Sequence, residues 1–332
     1  MLTHKSTSAA ASTIATTAPV APAAAPRNLD DLICYFEGQY VPMRDATVSI
    51  MTHAFMYGTA TFEGIRAYWN AEQEQLYGLF VREHVERIRK SARILLMDPV
   101  PLVDELCGIV VETVRRNHFR EDAYIRPSFY KSTRAIGVRL HHLEHQLDVI
   151  TVPFGDYVDT AHGIRIMTSS WRRNADAALP ARGKIVGGYV NMAVQKSEAE
   201  LNGFDEALVL TPGGHASEAS AANLFMVRDG VVVTPPVYDD ILEGVTRKAM
   251  LQLAADAGLS TEVRSIDRSE LYIADEVFLC GTGVQISPVV EVDHRPIGTG
   301  EVGPVAHAVQ TAYFDAVRGR TAKYRHWLTP IS

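Results

Sequence analysis

Lys184 is the residue in this chain whose setting most invites chemistry. It lies in Leu179-Pro180-Ala181-Arg182-Gly183-Lys184-Ile185-Val186-Gly187-Gly188-Tyr189, one lysine among glycines and apolar residues, just ahead of a helical pattern. A lysine amine is a nucleophile only when neutral, and an apolar, flexible surrounding favours that form, so the loop suits Schiff-base chemistry. Taken alone, the same stretch reads as a surface loop carrying a solvated lysine, and only residues elsewhere in the chain decide between the two.

Four such features are present. Glu218, in Ser217-Glu218-Ala219-Ser220-Ala221-Ala222-Asn223, is a carboxylate on a strand-like run. Gly244-Val245-Thr246-Arg247 opens a helical pattern whose first N–H groups and dipole favour an anion, with a threonine hydroxyl as a further donor. Cys280-Gly281-Thr282-Gly283 is a second glycine turn, directly after an apolar strand. Arg87 shares an i, i+4, i+7 row with Ser91 and Ile94, a second helix face on which its planar fork could hold phosphate. Singly, each turn is only a turn and Glu218 an exposed strand glutamate. Together they supply what pyridoxal phosphate requires: a lysine for the aldehyde, oriented donors for the phosphate, and a carboxylate for the pyridine nitrogen.

The elements that must position these residues follow from apolar spacing. Residues 35–41 read as a hairpin around Gly38 and 46–50 as a further strand. Residues 82–96 read as a helix with Val85, Ile88, Ala92, Leu95 and Leu96 in one buried stripe, followed by a second helix near 103–117. The run 123–130 alternates as a strand, with Tyr124, Arg126 and Ser128 on one face, where the arginine is either a carboxylate receptor or a solvent-facing residue. Residues 146–154 form another strand and 155–163 a connector, after which an antiparallel-rich region begins at Ile164. Helices are expected at 190–202, stopped by Gly203, from Glu243 to Gly258, and at 305–317, with a tight hairpin turn at Asp229-Gly230.

Composition bounds the reading. A chain of 332 residues, 47% hydrophobic and 21% charged, can bury two domain cores, and a net charge of -7 argues against a nucleic-acid footprint or an anionic-membrane surface. No run approaches the roughly 20 apolar residues that span a bilayer. Three widely spaced cysteines, Cys34, Cys107 and Cys280, offer no disulfide framework and suit a reducing, cytoplasmic compartment. Residues 1–27, rich in Ala, Thr, Ser and Pro and without an acidic residue, read as a disordered extension. His141, Glu144 and His145 have the spacing of an inverted zinc-peptidase motif, but lack the long amphipathic helix that geometry needs, so a solvated loop is expected and no metal site.

From about Tyr35 almost to the C-terminus, an ordered series of blocks resembles the branched-chain amino acid aminotransferases among fold-type IV pyridoxal-phosphate enzymes. Tyr57-Gly58-Thr59-Ala60-Thr61-Phe62-Glu63-Gly64-Ile65-Arg66 is similar to the family's N-terminal pocket signature, Arg82-Glu83-His84 through Arg87 to its phosphate helix, and Tyr124-Ile125-Arg126-Pro127 to its substrate strand. Lys184-Ile185-Val186-Gly187-Gly188-Tyr189, Glu218 with Asn223-Leu224-Phe225, Gly244-Val245-Thr246-Arg247 and Gly281-Thr282-Gly283 resemble the cofactor blocks, in order.

The resemblance implies an α/β (α+β-like) fold of two domains with the cofactor at their interface: a small N-terminal α/β domain (28–153), a connector (154–163) and a larger strand-rich domain (164–332). By it, Lys184 carries pyridoxal 5'-phosphate and moves the substrate proton, Glu218 holds the ring nitrogen, Tyr189 the phenolic oxygen, and Arg87, the Val245 and Thr246 amides and Thr282 the phosphate. Tyr124, Arg126, Thr282 and Gly283 would take substrate carboxylates, Phe62, Phe154, Tyr157 and Tyr189 would wall an apolar pocket, and Arg66 belongs to the same signature. Tyr57 and Val138 match residues that the family supplies from a partner subunit, which implies a homodimer. The implied reaction moves the amino group of L-leucine, L-isoleucine or L-valine to 2-oxoglutarate. Met56, Ala219, Ala222 and Phe154 depart from common family residues, which bears on rate and substrate range. D-amino acid and amine transaminases and aminodeoxychorismate lyases share the fold and stand as alternatives, as does a catalytically silent cofactor-binding protein.

Overall fold

The alternating runs of the N-terminal half pair into one antiparallel sheet. In the computed structural model, which describes residues 27–155 and 161–332, its spatial order is Leu328–Pro330, Gln75–Leu79, Ile65–Asn70, Ala123–Lys131, His145–Pro153, Ile33–Phe36 and Gln39–Pro42, with Ala60–Phe62 also pairing along Ala123–Lys131. The expected N-terminal extension, up to residue 26, lies outside the described residues. Ala123–Lys131 and His145–Pro153 pair over nine residues, from Ala123 against Pro153 to Lys131 against His145. Alternation buries Ala123, Ile125 and Phe129 on one face and leaves Tyr124, Arg126 and Ser128 on the other. The helices Val81–Ile94 and Val103–Arg115 cover the buried face, where Val85, Ile88, Ala92, Leu106 and Val110 join Ile125 and Val149 in one core. Burying each large aliphatic side chain there contributes roughly 1.5–3 kcal/mol.

Two expectations fail in this half. Residues 46–50 form no strand; Val48 and Ile50 are exposed and pair with no strand among the described residues, so alternation without a neighbouring edge did not suffice. Leu96 leaves the buried stripe because the helix ends at Ile94 and Leu96 turns left-handed (φ 54°), 58% exposed.

The second sheet runs Ser260–Val263, Val231–Thr234, Asn223–Arg228, Glu276–Gly281, Gln285–Val292, Ile164–Arg172, Glu206–Leu210, His215–Ala219 and Ile266–Asp267. It is mixed rather than purely hairpin-built. Asp229 and Gly230 both take positive φ in the expected tight turn. Two neighbouring parallel pairs need crossovers: Ile164–Arg172 to Glu206–Leu210 by way of the lysine loop and the helix Tyr189–Leu201, and Val231–Thr234 to Ser260–Val263 by way of the helix Val245–Asp256. The lysine loop and the anion-ready helix start both lie in these crossovers.

Contacts in both directions join the sheets. After the last long helix, Pro304–Val317, the chain returns to the first sheet: Leu328–Pro330 pairs with Gln75–Leu79, and the Phe80 amide donates to the Trp327 carbonyl at 2.8 Å. In the other direction, Ile185 bridges Thr61, and the Gly187 amide donates to the Gly58 carbonyl at 3.0 Å. Gly58 has φ 67°, and a Cβ on it would lie 2.7 Å from the Gly187 Cα, so both φ and close approach require glycine there.

Candidate active site

Lys184 is held by its backbone. Its amide donates to Ser91 Oγ at 3.1 Å and its carbonyl accepts from the Phe62 amide at 3.1 Å, which ties the loop to the helix Val81–Ile94 and to the first sheet. The side chain is half-buried, and Nζ donates to the Tyr189 hydroxyl at 2.6 Å, 4.9 Å from the centre of the Phe62 ring. An amine beside a phenol and over aromatic faces can pass a proton along a short path while water is kept to one side.

Glu218 is 3% exposed. Arg173 Nη2 lies 2.6 Å from its Oε1, while Asn223 Nδ2 and the Leu242 amide donate to Oε2 at 2.8 and 3.2 Å. Burial pushes the Glu218 pKa up, opposed by the Arg173 charge, the Leu242 amide, and the charges of Lys184 and Arg87. Arg173 and Asn223 are functional groups that the sequence reading assigned no role. Arg173 follows directly on the strand Ile164–Arg172, and its local sequence, Trp171-Arg172-Arg173, says nothing of a carboxylate 45 positions later.

At the other end, Arg87 does not wait free. Its Nε and Nη2 donate to Glu63 at 2.6 and 2.7 Å and its Nη1 to the Glu243 carbonyl at 2.8 Å, so the guanidinium is aimed by a carboxylate that is fully buried. Against the upward push of burial, the Arg87 charge and hydrogen bonds, together with His84, hold the Glu63 pKa down at about 2. The helix Val245–Asp256 begins at Gly244 with no side-chain cap, so its first amides are available to an anion. A Cβ on Gly244 would collide with the Asn223 side-chain oxygen.

His84, Arg87, Arg173, Lys184, Tyr189, Glu218, Asn223, Val245, Thr246 and Thr282 line one cavity. Its chemistry fits pyridoxal phosphate: a carboxylate at one end, an uncapped helix start with an arginine at the other, and a lysine with a phenol between. Arg66 is 1% exposed and donates to the carbonyls of Thr282 (2.9 Å), Gly155 (2.8 Å) and Gly283 (3.2 Å), so it binds the Thr282-Gly283 turn and the connector to the first sheet.

Several of the side chains expected to wall a substrate pocket lie close to one another beside Lys184. Phe62 and Tyr189 meet edge to face at 4.8 Å, Tyr124 and Phe154 lie 5.1 Å apart, and the Arg126 guanidinium sits 4.4 Å over Phe62 with Nη2 3.3 Å from the Tyr124 hydroxyl. Tyr57 and Val138 do not reach the cavity of their own chain. The Tyr57 hydroxyl accepts from the Gly137 amide at 3.1 Å, and the adjoining Val138 is 80% exposed. Tyr157 lies outside the described residues. His141 and His142 occupy a turn and His145 begins a strand, so the helical spacing that zinc would need is absent, and among the described residues no group of three or more His, Cys, Asp or Glu is placed to hold a metal.

Comparison with known proteins agrees with this geometry. The model of the family described as amino-transferase class IV matches residues 60–292. An Aquifex aeolicus protein named "Probable branched-chain-amino-acid aminotransferase" is 47% identical, over 90% of this chain and 96% of its own length. The crystal structure of a branched-chain aminotransferase from Thermoproteus uzoniensis with norvaline superposes with a TM-score of 0.87 at 39% identity, covering 91% of this chain and 99% of that one. That of the branched-chain amino acid aminotransferase from Thermobaculum terrenum in its PLP-form gives 0.87 at 33% identity, covering 92% and 100%. The cavity, the order of its residues along the chain and these likenesses converge: the chain belongs to the class IV aminotransferase family, in its branched-chain amino acid aminotransferase group.

Proposed function

We propose that this chain is a pyridoxal-phosphate-dependent aminotransferase that moves the amino group of L-leucine, L-isoleucine or L-valine to 2-oxoglutarate, giving the branched-chain 2-oxo acid and L-glutamate. The observation that carries this reading is Arg126, a cation laid over the apolar Phe62 ring beside the Lys184–Tyr189 pair. One pocket must take a leucine side chain in one half of the cycle and a glutamate carboxylate in the other, and a carboxylate brought among aromatics has to be paired.

When bound, pyridoxal phosphate supplies the aldehyde that accepts the amine and the ring that draws electron density from the substrate Cα. Lys184 would hold it at rest and would take and return the proton at Cα, and the Tyr189 hydroxyl, 2.6 Å from Nζ, keeps the amine oriented. Glu218, backed by Arg173, would keep a negative charge at the ring nitrogen, and Arg87, the Val245 and Thr246 amides and Thr282 would hold the phosphate. Tyr124 and Arg126, with the Thr282-Gly283 turn, would orient substrate carboxylates, and Phe62, Phe154 and Tyr189 would exclude water around the side chain.

A division into a small domain (28–153) and a large one (164–332) joined by 154–163 is supported by the two separate sheets, with the last strand returning to the first sheet, and by a cavity lined from both parts of the chain. Exposed Val48, Ile50, Phe55, Ile136 and Val138 support a homodimer in which Tyr57 and Val138 complete the partner's pocket. Free thiols at Cys34, Cys107 and Cys280 support a cytoplasmic location, and no helix among the described residues is long and apolar enough to cross a membrane. The test is a set of half-reactions on the purified, cofactor-loaded protein with L-leucine, L-glutamate, their D-enantiomers and simple amines. Conversion of the visible cofactor band by both L-acids supports the reading, and conversion only by D-acids or amines replaces it with another activity of the same fold.

A further inference from the structure

The cavity wall carries a histidine for which the reading above has no task. On the helix Val81–Ile94, His84, Arg87 and Ser91 share one face: Ser91 Oγ holds the Lys184 amide, and Arg87 is the arginine assigned to phosphate. His84 is 3% exposed, and its Nδ1 lies 2.7 Å from Glu63 Oε2. Glu63 also takes Nε and Nη2 of Arg87, so it is ionised, and the proton between it and His84 sits on Nδ1. The neutral ring therefore keeps a lone pair on Nε2, and among the described residues no protein group hydrogen-bonds that atom.

Three charged groups act on the ring: Glu63 from the strand edge of the first sheet, Arg87 from its own helix and Lys184 from the crossover loop. Burial pushes the His84 pKa down, Glu63 opposes this, and the two cations reinforce it, so without an anion in the cavity the ring is neutral at pH 7. A phosphate monoester placed there reverses the balance, because its own second ionisation lies near pH 6 and its oxygens accept from N–H.

We propose that His84 is a protonatable ligand of the cofactor phosphate, with Glu63 fixing its tautomer and orientation so that Nε2 and a phosphate oxygen share one proton. The step balances in either direction: a monoanionic phosphate gives its P–OH proton to Nε2, or the dianion enters and one proton is drawn from solvent onto Nε2. The Glu63–Arg87–His84 cluster thus presents two aimed cations to the phosphate, one permanent and one that appears when the anion arrives. Affinity gained in this way is present at low pH and lost as pH rises through the pKa of the loaded site. This inference rests on the aminotransferase reading only for the identity of the phosphate ester.

The experiment measures cofactor hold rather than turnover. Equilibrium dialysis of the full chain against pyridoxal phosphate is compared for the wild type and His84→Gln at pH 6.5 and pH 9, together with ³¹P NMR of the loaded proteins across that range. His84→Gln is expected to bind about tenfold more weakly at pH 6.5 and within about twofold at pH 9, and to lose a step in the wild-type phosphorus shift. A variant equally weakened at both pH values, with the phosphorus titration unchanged, overturns the proposal and leaves His84 a packing residue. If the variant does not fold, histidine-selective ¹⁵N spectra of the wild type decide: Nε2 protonated near pH 7 in the loaded protein supports the assignment, and a bare Nε2 down to pH 5.5 refutes it. A wild type that binds no pyridoxal phosphate at all would instead count against the aminotransferase reading, which separates the two failures.

Discussion

Replacing Arg173 with Met tests whether Glu218 acts through a buried ion pair. The two side chains are 6% and 4% exposed and 2.6 Å apart. At an effective dielectric of about 20, unit charges at that separation attract by about 6 kcal/mol, and losing the arginine also removes its own desolvation cost, so a net loss of about 3–5 kcal/mol is expected in the cofactor-free protein. Asn223 and the Leu242 amide remain on Oε2, but burial raises the Glu218 pKa even with Arg173 in place, so losing the arginine raises it further. If Glu218 holds the ring nitrogen as proposed, a protonated ring nitrogen in the loaded protein would offer it a replacement cation and recover part of the loss. The assay is urea unfolding of the cofactor-free and loaded forms, with the rate of the L-leucine half-reaction from pH 6 to 9. Arg173→Met should be much less stable without cofactor, nearer the wild type with it, and faster as pH rises and Glu218 ionises. Equal destabilisation of both forms with an unchanged pH profile would refute the reasoning and reduce Arg173 to a packing residue.

Four shorter tests follow from the same geometry. Lys184→Ala should lose the visible cofactor band and slow amino transfer by at least about 10³-fold, since both attachment and proton transfer depend on Nζ; stopped-flow half-reactions read it. Arg126→Leu should slow the glutamate half-reaction by about 10²-fold while leaving leucine within about threefold, because only the former brings a second carboxylate to the wall. Gly58→Ala should cost about 2 kcal/mol in chemical denaturation, from its left-handed φ and the 2.7 Å approach to Gly187, and Gly38→Ala, with nothing within 4 Å, should cost less. Glu63 has a depressed pKa, so its contribution is complete above pH 4.5 and is lost as pH falls toward 2; the shift corresponds to about 3 kcal/mol, and Glu63→Gln should flatten the acid limb of stability against pH.

What the sequence made legible was whatever is carried by neighbours along the chain. The lysine loop, the uncapped helix start at Gly244 and the alternation that puts Tyr124 beside Arg126 all show in local spacing, and the structure brings them to one region. The pairing of Arg173 with Glu218 was not legible, because it depends on how far one strand slides past another. Ile164–Arg172 runs parallel to Glu206–Leu210 with an irregular register between Thr168 and Arg172, and Glu206–Leu210 in turn pairs with His215–Ala219 across a second register shift near Glu218. A one-residue slip would turn the side chains of a strand to the opposite face.

Glu63 and His84 were hidden for a related reason: both stand in blocks that resemble the family, yet their partnership spans a strand and a helix, and their burial is what gives them an effect. The residues proposed to touch the cofactor are thus spelled out by turns and helix starts, whereas those proposed to tune it are set by packing between elements. Substitutions such as Ala219, which follows Glu218 directly, and Ala222, whose carbonyl accepts from the Ala219 amide, are buried at 0% and 4% and belong to the second kind. Their methyl groups act on catalysis only through the fit around that carboxylate, so restoring a larger residue at 222 should change cofactor hold before it changes substrate preference.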